Sequence, residues 1–391
     1  MTLGKEVRVF RSVDAIGRET INSIAGDAFF TYEWFKTLET QKSFDQSPIY
    51  FVAYHEGKVV AVAPCFIELL DQPFFYDIRR AQVNTVAPFL RQMLLFGLRL
   101  GFYQQHVLIC YSPVSFRTKV LIESTCIEKK HILNLLTNKI DAFCKNERIL
   151  FSSFRFVSEF DQLLIGNLPD FGYVQSSSLT NFYLDVRWPS FKAYLKSVNY
   201  KYRKDIKREI KKFEENGITI EELEFEDIPA YVSELASNLY LKYNYETTSY
   251  SSFFNKLTKY AKDRVKIFIA KKNDAVVGFS LNLRQGDILD TCFAGFKYDN
   301  LTSTDFIHFN VCYYAPIRWA IDEGIKKINY RWGQEKIKLY RGCKPEKTYS
   351  FVKCHDELLG PLINNGALRI PLYSILEPKR TLRRTLRLDE S

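Results

Sequence analysis

Long hydrophobic runs are missing from this chain of 391 residues. Its longest apolar stretch, 59–70, is interrupted by Glu68 and falls short of the roughly 20 residues a helix needs to cross a bilayer. Residues 1–10 hold no apolar stretch of signal-peptide length, so a cytosolic location is expected. Histidine is scarce, at five, and the eight cysteines (Cys65, Cys110, Cys126, Cys144, Cys292, Cys312, Cys343 and Cys354) include no Cys-x-x-Cys pair. That spacing speaks against a zinc framework and for buried, reduced thiols. Cys354 and His355 are neighbours, but one pair is not a metal site. Also absent are Gly-x-x-x-x-Gly-Lys-Ser/Thr, Gly-x-Gly-x-x-Gly after a strand, Gly-x-Ser-x-Gly and His-Glu-x-x-His. Nucleotide hydrolysis, nicotinamide redox chemistry and zinc proteolysis thereby lose their usual signatures.

What is present is an ordinary folded composition, 46% hydrophobic and 26% charged, with aromatics high at 15%. The length suits about two domains. A formal charge of +10 favours an anionic partner: a phosphate-rich cofactor, a nucleic acid or a membrane surface.

One pattern occurs twice. Tyr50, Phe51, Val52 and Ala53, a tip at His55, Glu56, Gly57 and Lys58, and then Val59, Val60, Ala61 and Val62 are matched by Ile267, Phe268, Ile269 and Ala270, a tip at Lys272, Asn273 and Asp274, and Val276, Val277, Gly278 and Phe279. Each copy predicts a β-hairpin, because β-branched and aromatic runs flank residues that tolerate positive φ. Each also follows an aromatic helical stretch, Trp34 to Leu38 in one and Phe253 to Leu257 in the other. A helix and meander occurring twice implies two related α/β lobes.

Between and after the hairpins, apolar spacing predicts helices over 86–103 and 129–145 and strands over 150–157 and 181–186. Residues 190–216 read as a polar helix closed by Gly217. Lys201, Lys204, Arg208 and Lys211 share one of its faces, either a solvated surface or a ridge facing phosphate or RNA. A further strand, 288–296, precedes a helix from about Asp305 to Gly324. Ser303 or Thr304 would cap it, turning free N–H groups toward whatever sits there. Within that helix His308 and Cys312 lie four residues apart, a pairing that makes a thiolate nucleophile conceivable but leaves little room for substrate. After a short strand, 328–330, comes the densest polar cluster: Gly333, Gln334, Glu335, Lys336, Lys338, Tyr340, Arg341, Gly342 and Lys344. It reads as a loop in which fixed cations stand beside glycines that permit close backbone approach. The arginine-rich tail, 376–391, reads as a docked or frayed terminal helix that could also touch a membrane or nucleic acid.

The stretch Ile307, His308, Phe309, Cys312, Tyr313, Tyr314, Ile317, Ala320 and Ile321, followed by Gln334, Lys338, Arg341, Gly342, Pro345 and Ser350, resembles the C-terminal signature of the FemAB-like group in the GNAT acyltransferase superfamily. Pro113 and Val114, then Phe191, Tyr194, Leu195, Tyr202, Arg203, Lys204, Ile206 and Arg208, agree in order. The resemblance implies an α/β fold of two tandem GNAT-like lobes, 1–180 and 181–391, each a mixed, mostly antiparallel sheet flanked by helices. It implies that the second lobe carries the active site, with the basic helix 190–216 and the tail 376–391. The implied activity is transfer of an acyl or aminoacyl group to a small-molecule or peptide amine. The donor is acyl-coenzyme A or aminoacyl-tRNA, and no permanently bound cofactor is expected. Lys338 falls on the family's cleft lysine, where it would offset charge developing on the tetrahedral intermediate. Lys338→Ala is then expected to abolish transfer in a folded protein. Gln334 and Arg341 would orient donor or acceptor, and His308 with Tyr313 would line the cleft.

Two departures bear on mechanism. Asn310 stands where the group often has glutamate, and Glu335, Lys336 and Ile337 replace a Gly-Glu-His segment. The general base is therefore open among Asp290, Glu335, the substrate and water. There is also no Gln/Arg-x-x-Gly-x-Gly/Ala loop, so donor phosphates would fall to Ser303 and Thr304, with Lys201 and Lys204 as further candidates. A nucleic-acid-binding module and an inactive scaffold of the same fold are the competing functions.

Overall fold

A computed structural model describes residues 5–40, 47–69, 104–242, 250–299, 302–357 and 360–361. The expected helix at 86–103 and the tail 376–391 lie outside the described residues. Strands run in chain order as β1 (Glu6–Phe10), β2 (Ser47–His55), β3 (Lys58–Leu69), β4 (Gln104–Cys110), β5 (Leu121–Ile122) and β6 (Ile149–Ser158). They continue as β7 (Val174–Asp185), β8 (Ile218–Glu222), β9 (Val265–Lys272), β10 (Ala275–Gln285), β11 (Ile288–Phe296), β12 (Lys327–Trp332) and β13 (Lys344–Cys354).

Both copies of the repeat are hairpins, β2–β3 and β9–β10. Their two-residue turns put Glu56 and Gly57 at φ 52° and 77°, and Asn273 and Asp274 at 49° and 61°. Two consecutive left-handed residues make a type I′ turn, whose twist matches that of the strands it joins. The chain forms two compact units. The first holds the described residues of Met1–Ile24, Phe44–Leu179 and Lys347–Ser391, the second those of Ala25–Ser43 and Thr180–Glu346. Strand order in the first is β1-β2-β3-β4-β6-β13, with β5 beside β3; in the second it is β8-β9-β10-β11-β12-β7. The hairpins hold equivalent places in the two orders. So does the single parallel pairing, β4 with β6 and β11 with β12. Each unit is thus a mixed, mostly antiparallel sheet with flanking helices.

Chain order and unit membership differ at two segments. Sequence order alone groups residues 25–43 with 1–180, yet their helix Tyr32–Glu39 packs in the second unit. Trp34 meets Phe253 edge-on at 5.9 Å, and Arg264 pairs with Glu33 at 3.3 Å. Both aromatic helical stretches that precede the hairpins therefore share one core. The sixth place in the first unit's order is filled from 347 onward by β13, and in the second by residues 180–185 of β7.

The helix expected over 129–145 is present as Lys129–Asn146, burying Ile132, Leu133, Leu136 and Ile140. The polar helix splits into Phe191–Ser197 and Tyr200–Glu215, where Asn199 Oδ1 accepts from Lys201 N and restarts the second piece. Gly217, at φ 67°, ends it as expected. In the second unit the backbone of helix Ala230–Lys242 lies directly on β11: a Cβ at Gly295 would stand 2.3 Å from the Leu235 carbonyl carbon. Gly295→Ala should therefore push that helix off the sheet and cost about 2–3 kcal/mol; an unchanged urea midpoint would refute this close approach.

Candidate active site

The helix expected from Asp305 to Gly324 is interrupted twice. Thr302, rather than Ser303 or Thr304, is the cap: it forms a capping box with Asp305 around the turn Ser303–Asp305. Phe306 at φ 49° then breaks the chain's course before Ile307–Phe309. Asp305 Oδ2 accepts from Thr302 N at 2.8 Å, and its Oδ1 takes Asn216 Nδ2 at 2.9 Å and Lys272 Nζ at 3.2 Å. The Asp305 carboxylate thus occupies the Thr302 N–H, and Asp305 N bonds back to Thr302 O at 3.1 Å. Thr304 is exposed, its hydroxyl 2.8 Å from that of Thr302.

The second interruption is a π-helical turn, Asn310–Tyr314, ahead of Ala315–Asp322. Pro316 has no N–H to continue an α-helical ladder. Ala315 N bonds to Asn310 O, five residues back, and passes over Val311 O. Ser280 Oγ, on β10, donates to that carbonyl at 2.7 Å. Single π turns inside α-helices occur frequently at functional sites. This one carries Cys312 and Tyr313, with His308 one turn earlier.

Facing it is the end of β12. Arg331, Gly333 and Gln334 have φ of 56°, 84° and 48°, so the chain reverses within four residues at a backbone cost of order 1–3 kcal/mol per non-glycine residue. The polar cluster read as a loop is in part a helix, Glu335–Tyr340. From it Lys338 reaches back, its Nζ donating to the carbonyls of Tyr330, Arg331 and Trp332 at 2.9, 2.9 and 2.8 Å. Three donors meet three acceptors, and burial draws the ammonium's pKa down to about 7. Lys338 fixes the reversed loop.

Between these walls lies a cavity of about 320 Å³. Leu239, Ser280 and Thr291 to Ala294 line one side. His308, Cys312 and Tyr313 line the second, and Tyr330, Arg331, Trp332, Gln334 and Lys338 the third. Five residues singled out from sequence, His308, Cys312, Tyr313, Gln334 and Lys338, meet here. Arg341 does not line it. Its Nη2 donates to Glu209 at 2.7 Å and to the Tyr314 hydroxyl at 2.8 Å, its Nη1 to Ile337 O at 3.0 Å, and its plane covers Phe309. Asp290, fully buried, accepts from Asn329 Nδ2 at 2.8 Å. Glu335 is exposed on the loop helix, and Lys201 and Lys204 are exposed on Tyr200–Glu215. Asn310 is also outside the cavity, donating to Phe306 O at 3.0 Å.

Sequence reasoning missed Arg331, Trp332, Phe293 and Glu209. Arg331 and Trp332 directly precede the singled-out Gly333, and Arg331 donates to Cys292 O across the cavity wall. Glu209 had a signal: it is the acidic residue on the buried stripe of Ile206 and Phe213.

No carboxylate lines the cavity among the described residues. Of the lining side chains, His308 carries an imidazole able to take a proton. Burial, with Arg341 and Lys338 nearby, lowers its pKa to about 4, so the imidazole is neutral at pH 7. It contacts Phe296 and Tyr313 edge-on and makes no hydrogen bond among the described residues. Burial raises Cys312, leaving a thiol where a nucleophile would need a thiolate.

The first unit holds another polar cluster: Ser152 Oγ lies 2.8 Å from His355 Nε2 and 2.9 Å from the Tyr173 hydroxyl, and His355 Nδ1 is 3.7 Å from Asp141. Despite its serine, histidine and aspartate it is internal bracing, because Ser152 is 2% exposed and the last distance is too long for a hydrogen bond.

A profile of FemAB-like proteins, described as peptidoglycan biosynthesis/recognition, matches residues 12–366. A crystal structure of FemX aligns over 91% of this chain and 100% of its own, at 12% identity and a TM-score of 0.61. A tandem GNAT protein from the clavulanic acid biosynthesis pathway aligns over 90% of this chain and 99% of its own, at 8% identity and a TM-score of 0.51. No curated protein sequence matches. These likenesses establish a tandem GNAT-type α/β fold.

Proposed function

Because the chain belongs to the FemAB-like family, we propose that it transfers an acyl or aminoacyl group from a phosphate-bearing donor, acyl-coenzyme A or aminoacyl-tRNA, to an amine. Family and fold support a transferase; the donor, the acceptor and the residue roles are the proposal. The family's description directs the acceptor toward an amine of a peptidoglycan-type peptide. The amine nitrogen attacks the ester or thioester carbonyl, a C–N bond forms, and the C–O or C–S bond breaks. The nitrogen's proton passes to the neutral His308 imidazole and from there to the leaving oxygen or sulfur. Gln334 and Tyr313 position the reacting groups. Lys338 acts on the intermediate through its field and through the loop it holds, since its three N–H bonds are already directed at carbonyls. Arg341 acts indirectly, through Glu209 and Tyr314.

The observation that carries this reading is a cavity lined by Tyr313, Gln334 and a neutral His308 imidazole that makes no hydrogen bond among the described residues. Purified protein offered acetyl-coenzyme A or alanyl-tRNA with amine-bearing muramyl peptides should give an amide product by mass spectrometry. His308→Gln should slow it by about 10²–10⁴-fold while leaving the thermal midpoint in place. Protonation of His308 itself should remove activity only as pH falls toward 4, not at the ordinary 6.5. Wild-type turnover in His308→Gln would exclude the imidazole as base.

A further inference from the structure

The outer surface of the helix that carries Lys338 has chemistry unrelated to the cavity. Among the described residues, five large hydrophobic side chains are exposed, and three of them, Tyr200, Leu339 and Tyr340, at 75%, 40% and 41%, come from this region. Tyr202 stacks on Tyr340 at 4.1 Å and 15°, which joins the start of Tyr200–Glu215 to the end of Glu335–Tyr340 in one surface. Lys201, Lys204 and Lys336 are exposed there and make no ion pair among the described residues.

Carboxylates on the same two helices do not cancel this charge. Asp205 is paired with Arg208 at 3.2 Å, Glu209 is buried against Arg341, and Glu215 is held by Lys211 and Lys212. Glu214 lies at the far end of its helix from Tyr200, and Glu335, exposed, is the one carboxylate of the shorter helix. Lysines interleaved with tyrosines and a leucine are the composition of a surface that sits at the headgroup level of a bilayer. The tyrosine faces argue against nucleic acid. Tyr202 and Tyr340 cover each other, and Arg203 lies over Tyr200 at 5.6 Å, so ring edges and hydroxyls, more than open faces for bases, meet the solvent.

We propose that the surface formed by Tyr200, Lys201, Lys204, Lys336, Leu339 and Tyr340 docks the protein on an anionic lipid bilayer. The inference is independent of the transfer reaction and of His308. Attraction between lysines near a membrane and acidic headgroups contributes about fivefold in partitioning per residue, and the apolar side chains add burial.

The test is co-sedimentation of the full chain with vesicles of phosphatidylcholine alone and of phosphatidylcholine with phosphatidylglycerol. Binding should require phosphatidylglycerol and weaken as salt rises. Replacing the three lysines (Lys201→Gln, Lys204→Gln, Lys336→Gln) should reduce it by about a hundredfold. The separate variant Leu339→Ser with Tyr340→Ser should also reduce it, at unchanged lysine charge. The lysine variant should keep the wild-type thermal midpoint, because its altered side chains are exposed; the Leu339 and Tyr340 variant gives up the stack on Tyr202 and should stay folded with a slightly lower midpoint. Equal binding to both vesicle types, no binding to either, wild-type binding by the lysine variant, or capture of single-stranded RNA with no binding to vesicles would overturn the proposal.

Discussion

Arg341→Met should destabilise the protein by about 3–5 kcal/mol, the range for removing one partner of a buried ion pair. The guanidinium is 3% exposed and joins Glu209, the Tyr314 hydroxyl and the Ile337 carbonyl. Without it the Glu209 carboxylate stays in the core with the Tyr314 hydroxyl as its remaining side-chain donor. The companion Glu209→Gln with Arg341→Met removes both charges and should recover part of the loss, giving a favourable coupling energy in a double-mutant cycle. Urea unfolding of the four proteins measures it. Additive losses would mean that the pair is not the unit that matters. Tyr314 belongs to the π turn, so the single variant should also lose activity at temperatures where it is still folded.

Lys338→Met is the second large effect, and here the structure revises what sequence alone led one to expect. A catalytic lysine pointing at substrate can be removed from a folded protein; one that holds three carbonyls cannot be removed as cheaply. Each carbonyl deprived of a donor costs about 1–3 kcal/mol. The cost of burying the ammonium is relieved at the same time, which offsets part of the sum. A net loss of about 3 kcal/mol is expected, with faster amide exchange at 330–334 as its local sign. Lys338→Ala, which adds a void, should be worse.

The same group makes a pH prediction. Its folded pKa, about 7, lies below its ordinary 10.5, so between those values the unfolded chain holds a proton that the folded chain has released. Stability attributable to Lys338 should therefore rise from pH 7 to 10.5 and fall as pH drops through 7. An amine still offers two of the three donors after that proton leaves. The rise should vanish in Lys338→Met, and an identical pH dependence in the variant would refute the assignment.

The hairpins and the Lys129–Asn146 helix were legible because their causes are local. Alternating β-branched residues, two turn positions that accept positive φ and a 3.6-residue apolar period all act within about a dozen residues. His308, Tyr313, Gln334 and Lys338 were legible as a group through the family pattern they match. Their roles were not, because a side chain's role depends on where its donors end. Lys338 ends on carbonyls six to eight residues back, around a loop with three left-handed residues. Arg341 ends on Glu209, 132 residues away. Asp290 and Glu335, the carboxylates weighed as bases, are separated from the cavity by burial in one case and exposure in the other.

By itself the sequence determined two hairpin units, the family resemblance and the basic balance of the chain. Only the tertiary structure decided that residues 25–40 pack in the second unit, that a proline and a distant serine open a π turn beside His308, and that Lys338 and Arg341 direct their hydrogen bonds into the fold. Turn and helix preferences are paid over short stretches of backbone. The destination of a buried charge is set by whichever partner the finished fold brings within hydrogen-bond distance.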